Sequence, residues 1–357
     1  MDVFEHSPTS SILQKALKSA LPYSINLVYR TQHPNQSEHA HILSTIPPSA
    51  TAVPGCWAAA YIDRSTRPGT ELWLFAAGED PKHSSELAGV SSHADPAASG
   101  LCPQCKLAVL SVLDYMSTLP LPPLHPDEQP SLELAKQHER EHPESGPGVV
   151  YELSPGTYMR HLLWPGVVTL GACHHLLVSL CRDAGILREE FPGATSVLNK
   201  FLFRISDLPP VKELPHGLKW GDLRPRDLPT VQARTSIPRA TRTLMSLKSK
   251  GVFEEATDRA VAWTFLGLDG SLTTLHTEPE WRGKGVARTV AASIIGEYAP
   301  GLAVDEHGTA WSHADVYVGN VQSESVCNGL GGKAMWKHYW VRIDLAKAGS
   351  LAKHHTV

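Results

Sequence analysis

Residues 275–287 read Leu-His-Thr-Glu-Pro-Glu-Trp-Arg-Gly-Lys-Gly-Val-Ala, and their types and spacing suit the binding of phosphate. Gly283 and Gly285 lack a Cβ, so the backbone can approach a ligand closely there. Arg282 and Lys284 add positive charge at the same mouth. An apolar stripe then begins at Val286 and recurs at Val290, Ala291, Ile294 and Ile295, the spacing of one helix face. The first turn of a helix carries N–H groups without intrahelical partners, and these attract anions. The spacing Arg-x-x-Gly-x-Ala is neither a P-loop, which ends in Gly-Lys-Ser/Thr, nor the three-glycine dinucleotide fingerprint. Gly-x-Gly by itself also describes an ordinary tight turn.

Other reactive side chains point to no metal. Cys102-Pro-Gln-Cys105 has no second Cys pair at zinc spacing, and the nineteen histidines are scattered. Cys173, His174, His175 and Cys181 fall on one stretch expected to be helical, where the two histidines face different ways. The chain has 357 residues, 42% of them apolar, which suggests about two domains with real cores. A net charge of −4 leaves no electrostatic footprint for nucleic acid. No run reaches the roughly 18 apolar residues of a membrane span. The first residues are polar and do not read as a signal peptide. Six cysteines in a chain this long do not make a disulfide scaffold. A cytoplasmic protein is expected.

The elements that must position the loop are read from period and punctuation. Ile12–Leu21 predicts an amphipathic helix stopped by Pro22, and Ile25–Tyr29 a strand. Cys56–Asp63 and Glu71–Ala77 predict two strands, and Leu107–Met116 a helix. Leu119–Gly148, rich in Pro and charge, predicts a surface insertion with a short helix near Leu132–Arg140. Val149–Leu153 reads as a strand and Val167–Ala184 as an apolar helix ended by Gly185. The polar, Pro-rich Ile205–Gly217 suggests a boundary, giving domains 1–205 and 218–357 with a linker at 206–217. Beyond it come a strand (Leu218–Leu223) and helical material (Arg226–Lys250). Strands Ala260–Leu268 and Ser271–Thr277 form a hairpin across Asp269-Gly270. A helix (Gly285–Tyr298), a strand (Ala314–Val318), a helix (Ser323–Leu330) and a closing pair around Ala334–Leu345 follow.

Arg282-x-x-Gly285-x-Ala287, preceded by Thr-Glu-Pro-Glu-Trp, resembles the acyl-CoA pyrophosphate loop of the GCN5-related N-acetyltransferase (GNAT) superfamily. A second segment agrees. Val318-Gly319-Asn320-x-x-Ser323-x-x-Val326-Cys327-x-x-Leu330-Gly331-Gly332 resembles the superfamily's Asn-x-x-Ala/Ser … Leu-Gly-Phe helix. Leu13 to Pro22 is similar to the opening of the glycine N-acyltransferase branch, in which a degenerate GNAT-like half precedes the catalytic one. The resemblance implies an α+β fold of tandem GNAT-like domains, with acetyl-CoA or another acyl-CoA as co-substrate and no metal. The first half has no Arg-x-x-Gly-x-Gly/Ala loop, so its expected roles are structural and in shaping the acceptor site at the cleft between lobes.

The same resemblance implies the site residues. Arg282, Gly283, Lys284, Gly285, Val286 and Ala287 would hold the pyrophosphate. The backbone of Leu275 and Thr277 would pair with the pantetheine amides, as a strand edge binds an extended chain. Asn320 would contact pantetheine or cap the following helix, and Ser323 is an equally good cap. Cys327 stands where many members place a Tyr acid, and reads either as a proton donor to the departing thiolate or as a core thiol. Amine attack on a thioester needs a proton acceptor, for which the candidates are His276, Glu278 and Asp315. The branch has a Glu after the hairpin Gly, where this chain has Ser271. Direct attack by the amine of a small molecule is expected. The alternatives are a protein or peptide N-acetyltransferase, a detoxification or secondary-metabolite acyltransferase, and an acyl-CoA-binding protein without turnover.

Overall fold

The computed structural model describes residues 1–83, 100–143, 148–235 and 237–354. In chain order the strands begin with β1 (Phe4–Glu5), β2 (Ala40–Ser44), β3 (Ala58–Asp63), β4 (Leu72–Ala76), β5 (Val167–His174) and β6 (Leu198–Arg204). They continue with β7 (Leu218–Gly221), β8 (Lys248–Glu254), β9 (Ala260–Leu266), β10 (Ser271–Thr277), β11 (Trp311–Tyr317) and β12 (Lys333–Asp344). The chain divides into two compact units. One holds Met1–Leu27, Gln36–Val197 and His338–Val357, the other Val28–Asn35 and Leu198–Lys337. The units are interleaved in sequence, so the segment expected as a linker, 206–217, lies inside the second unit.

In the first unit, β1 to β4 form an antiparallel meander. β4 then meets β5 in parallel at a single pair, Leu72 with Leu170. β5 is closed antiparallel by residues 338–344 of β12. β3 and β4 are buried along their whole length, which their runs Ala-Ala-Ala-Tyr-Ile-Asp and Leu-Trp-Leu-Phe-Ala allow. Helix Ser11–Ser19 buries Ile12, Leu13, Ala16 and Leu17, one stripe at helical spacing.

The second unit repeats this plan. β7, β8, β9 and β10 form an antiparallel meander. β10 pairs in parallel with β11, and β6 closes the sheet antiparallel to β11 over seven residues. One core gathers Leu228, Val231, Leu244, Phe253, Trp263 and Phe265. Another gathers Val252, Val261 and Ala262 with Val286 and Val290 of helix Val286–Tyr298. Each such large side chain removed from water contributes roughly 1.5–3 kcal/mol. The hairpin turn needs Gly270, whose φ is +78° and whose missing Cβ would fall 2.3 Å from the Tyr29 ring.

Several local expectations are corrected. Ile25–Tyr29 is not a strand but part of helix Ile25–Gln32. Its apolar residues at 25, 28 and 29 also fit helical spacing, and short runs are ambiguous. The expected helix Val167–Ala184 is β5 followed by helix His175–Asp183. Val167, Val168 and Thr169 are β-branched, and the His174 ring accepts the Leu176 N–H to start the helix. Val149–Leu153 forms no strand. Arg226–Lys250 contains two short helices, Leu228–Ala233 and Thr241–Ser246, and then the start of β8. The closing pair around Ala334–Leu345 is one strand, β12. Within the expected insertion, helix Gln129–Glu141 buries Ala135 and His138, so it is packed rather than a surface excursion; residues 144–147 lie outside the described ones. Among the described residues no helix is long and apolar enough to cross a membrane.

Candidate active site

The parallel ladder between β10 and β11 covers only Ser271 with His313 and Leu272 with Ala314. On its other edge β10 pairs with β9, with an irregularity between Thr273 and His276 and a positive φ of 54° at Thr274. Such bulges re-aim a strand and are found beside active sites. Thr273, Thr274, Leu275 and His276 are half-buried. An extended ligand can therefore meet β10 beyond Leu272 on the edge that β11 leaves.

The glycine loop follows directly. Gly283 and Gly285 have φ of +73° and +81°, and no atom lies within 4 Å of where a Cβ would stand at either. Gly285 is the N-cap of helix Val286–Tyr298, and no side chain caps the helix. The first-turn amides thus face an open approach, which fits a pyrophosphate. Val286 anchors the turn in the core and Ala287 is half-buried. The two cations play different parts. Arg282 Nε donates to the Thr277 carbonyl at 2.9 Å and ties the loop back to β10. Lys284 is exposed, with Nζ 4.3 Å from the centre of the Trp281 ring.

His276 stacks on Trp263, with ring centres 4.7 Å apart. Its Nε2 is buried without a hydrogen bond and faces Glu278 Oε2 at 3.6 Å, an electrostatic contact only. Burial holds the imidazole below its ordinary pKa of 6.5, against the pull of Glu278. Glu278 is buried and held by Arg234 Nε at 3.1 Å. Asp315 is spent differently: its Oδ1 lies 2.5 Å from the ammonium of Lys200, which is fully buried. Ser271 donates to Asp269 Oδ1 at 2.7 Å, so no base stands at that position.

At the second segment, Asn320 Oδ1 accepts the Ser323 N–H at 3.1 Å and caps helix Val321–Gly329. That is the capping alternative, and Ser323 is the capped residue rather than the cap. Burial pushes the Cys327 thiol up to about 12. Donation from it to a departing thiolate, with an ordinary pKa near ~8.5, would run uphill. Gly332 stands where the superfamily has Phe. A Cβ there would lie 2.4 Å from the Phe203 ring, so an aromatic from β6 takes that space.

Comparison with known proteins supplies the lineage. The profile of the acyl-CoA N-acyltransferase verG N-terminal domain matches residues 1–202, more than half of the chain. The chain belongs to this acyl-CoA N-acyltransferase family. A second profile, FR47-like protein, matches residues 249–341, where the glycine loop and the Asn320 helix lie. The protein is thus an acyltransferase of the GNAT superfamily, with a mixed α+β fold built from two GNAT-like units. Among solved structures, a Drosophila protein is similar over 96% of this chain and 98% of its own, with 12% identity and a TM-score of 0.54. At that identity the likeness concerns the fold. A GCN5-related N-acetyltransferase from Sphaerobacter thermophilus has 11% identity over 96% of this chain and 95% of its own, with a TM-score of 0.43. A tandem GNAT protein from the clavulanic acid biosynthesis pathway has 10% identity over 96% and 98%, also with a TM-score of 0.43. No curated protein sequence matches.

Within this acyltransferase the structure brings together His276, Glu278, Thr277 and the loop 282–287, all on β10 or directly after it. It gives Asp315 and Cys327 core environments. Arg234, Trp263 and Lys200 were not singled out from the sequence. They lie 44, 13 and 115 residues from their partners Glu278, His276 and Asp315, and carried no local motif (278 − 234, 276 − 263, 315 − 200).

Proposed function

We infer that the second unit transfers an acyl group from acyl-CoA to the amine of a small molecule, by direct attack in a ternary complex. The observation that carries this is the parting of β10 from β11 beside an open glycine turn at a helix N-terminus. Bound acyl-CoA supplies the activated thioester. The amides of Gly283 to Ala287 would hold its pyrophosphate, with Lys284 adding charge. The β10 edge at Leu275 and Thr277 would pair with the pantetheine arm. His276 would take the proton of the attacking amine. Glu278, opposite Nε2, favours the tautomer protonated there and leaves Nδ1 as acceptor. Arg234 positions Glu278, and Trp263 fixes the plane of the ring.

The amine is read as that of a small molecule or amino acid, in line with a glycine N-acyltransferase-like branch, and the enzyme as cytoplasmic. The unpaired state of all six cysteines supports a reducing compartment. A second reading, acyl-CoA binding without turnover, is favoured by the structural engagement of Asp315 and Ser271.

The test is calorimetric titration of the full chain with CoA, acetyl-CoA and benzoyl-CoA, followed by turnover with a panel of amines. Binding of about one CoA per chain with amine-dependent release of free thiol is expected. Binding without release across the panel would favour the second reading, and no binding at all would remove the CoA assignment.

A further inference from the structure

Four metal-ligating side chains of the first unit converge away from the site described above. Cys56 precedes β3, His83 follows β4, and Cys102 and Cys105 open helix Pro103–Met116. Their ligand atoms, three thiols and one imidazole nitrogen, all lie within 4.8 Å of one another. His83 Nε2 is 3.6 Å from Cys56 Sγ, 3.8 Å from Cys102 Sγ and 3.4 Å from Cys105 Sγ. Cys56 Sγ and Cys102 Sγ are 3.5 Å apart.

These distances match the edges of a coordination tetrahedron. Zinc bonds of about 2.3 Å to sulfur and ~2.0–2.1 Å to nitrogen place sulfurs about 3.8 Å apart, and sulfur and nitrogen about 3.5 Å apart, at tetrahedral angles. A thiol pair joined as a disulfide would stand at about 2.0 Å instead. The local structure prepares the site. Cys102 is the N-cap of its helix, with Sγ accepting the Cys105 N–H at 3.4 Å, and Cys105 is three residues on, so both sulfurs share one helix face. Gly78 lets the chain after β4 pass close by, since a Cβ there would lie 3.3 Å from Cys105 Sγ. Cys105 is buried and the other three are half-buried.

We propose that Cys56, His83, Cys102 and Cys105 bind a structural zinc ion in the first unit. Three thiolates and one imidazole select zinc over the hard cations magnesium and calcium. Four protein ligands leave no open position for substrate, so the ion ties three chain segments together and does no chemistry. The first unit, without a glycine loop of its own, thereby has a binding function distinct from acyl transfer. The expectation of a metal-free protein is replaced by this reading.

The test is metal analysis of the full chain purified without added metal or chelator. About one zinc per chain is expected, falling to near zero in Cys102→Ser/Cys105→Ser and unchanged in Cys181→Ser, a buried thiol outside the cluster. Because the double variant can fail to fold, wild-type protein is also exchanged with cobalt. Tetrahedral visible bands with thiolate charge transfer are expected. A cobalt spectrum without thiolate charge transfer, zinc retained by the double variant, or a Cys56–Cys102 disulfide in metal-free folded protein would each overturn the proposal. None of these readouts depends on acyl-CoA binding.

Discussion

At the scale of single residues, the chemistry turns on what burial does to each titratable group. His276 is held below its ordinary pKa by burial, so its ring is neutral at pH 7 and ready to accept a proton. His276→Gln should lower kcat by ~10²-fold or more and abolish the acid limb of the pH–rate profile, which in the parent lies below the ordinary histidine pKa. An unchanged acid limb in the variant would assign it to the acceptor amine instead. Lys200 and Asp315 form a buried pair, and removing one partner strands the other charge. Lys200→Met should cost ~3–5 kcal/mol in denaturant unfolding. Glu79 is buried, accepts the Ala76 N–H at 2.8 Å, and burial raises its carboxyl from 4.5 to about 8. The folded state keeps this proton where the unfolded state has lost it, so stability declines as pH rises from about 4.5 to about 8. Glu79→Gln should gain on the parent by up to about 1.4 kcal/mol per pH unit across that window. Parallel unfolding curves at pH 5, 6.5 and 8 check it.

At the scale of elements, the proposed site rests on a strand that leaves its neighbour and a helix that begins on glycine. Both glycines adopt a backbone conformation that L side chains rarely take, and the space around them is open. Gly285→Glu adds strain and a negative charge where the pyrophosphate would sit. It should lower CoA affinity by at least ~10²-fold in calorimetry. Gly285→Asn tolerates the left-handed conformation and adds no charge, so it should retain most of the affinity. Equal losses in the two variants would point to the turn's shape rather than to anion binding. The loop, the hairpin across Asp269-Gly270 and the helix after it were legible because turn glycines and a 3.6-residue apolar period are local signals. β8 was not: Lys248 to Glu254 mixes charge and Gly, and Val252 and Phe253 are buried by distant partners such as Val286 and Leu228. β5 read as a helix because a continuous apolar run has no period to distinguish the two.

At the scale of the whole molecule, each unit's sheet is closed by a strand that lies outside its own meander in sequence. β6 precedes the second meander yet pairs with β11, and the end of β12 pairs with β5. Expressed alone, 1–205 would carry β6 without β11 and lack β12, while 206–357 would lack β6. Unpaired edges of this kind aggregate. Each fragment should therefore be poorly soluble and melt without a cooperative transition, and co-expression should restore a folded pair, as read by circular dichroism and gel filtration. Cooperative melting of either fragment alone, at the temperature of the full chain, would show that the closing strands are dispensable. The sequence by itself determined the superfamily, the glycine loop and the Asn320 helix, because these are contiguous and their geometry is set by neighbours in the chain. Only the tertiary structure decided how the strands are shared, that Asp315 answers Lys200, that Phe203 fills the place beside Gly332, and that Cys56 and His83 join Cys102 and Cys105. The reason is common to all four: each pairs residues tens to more than a hundred positions apart. Such encounters are set by sheet pairing and packing, on which local period and spacing are silent.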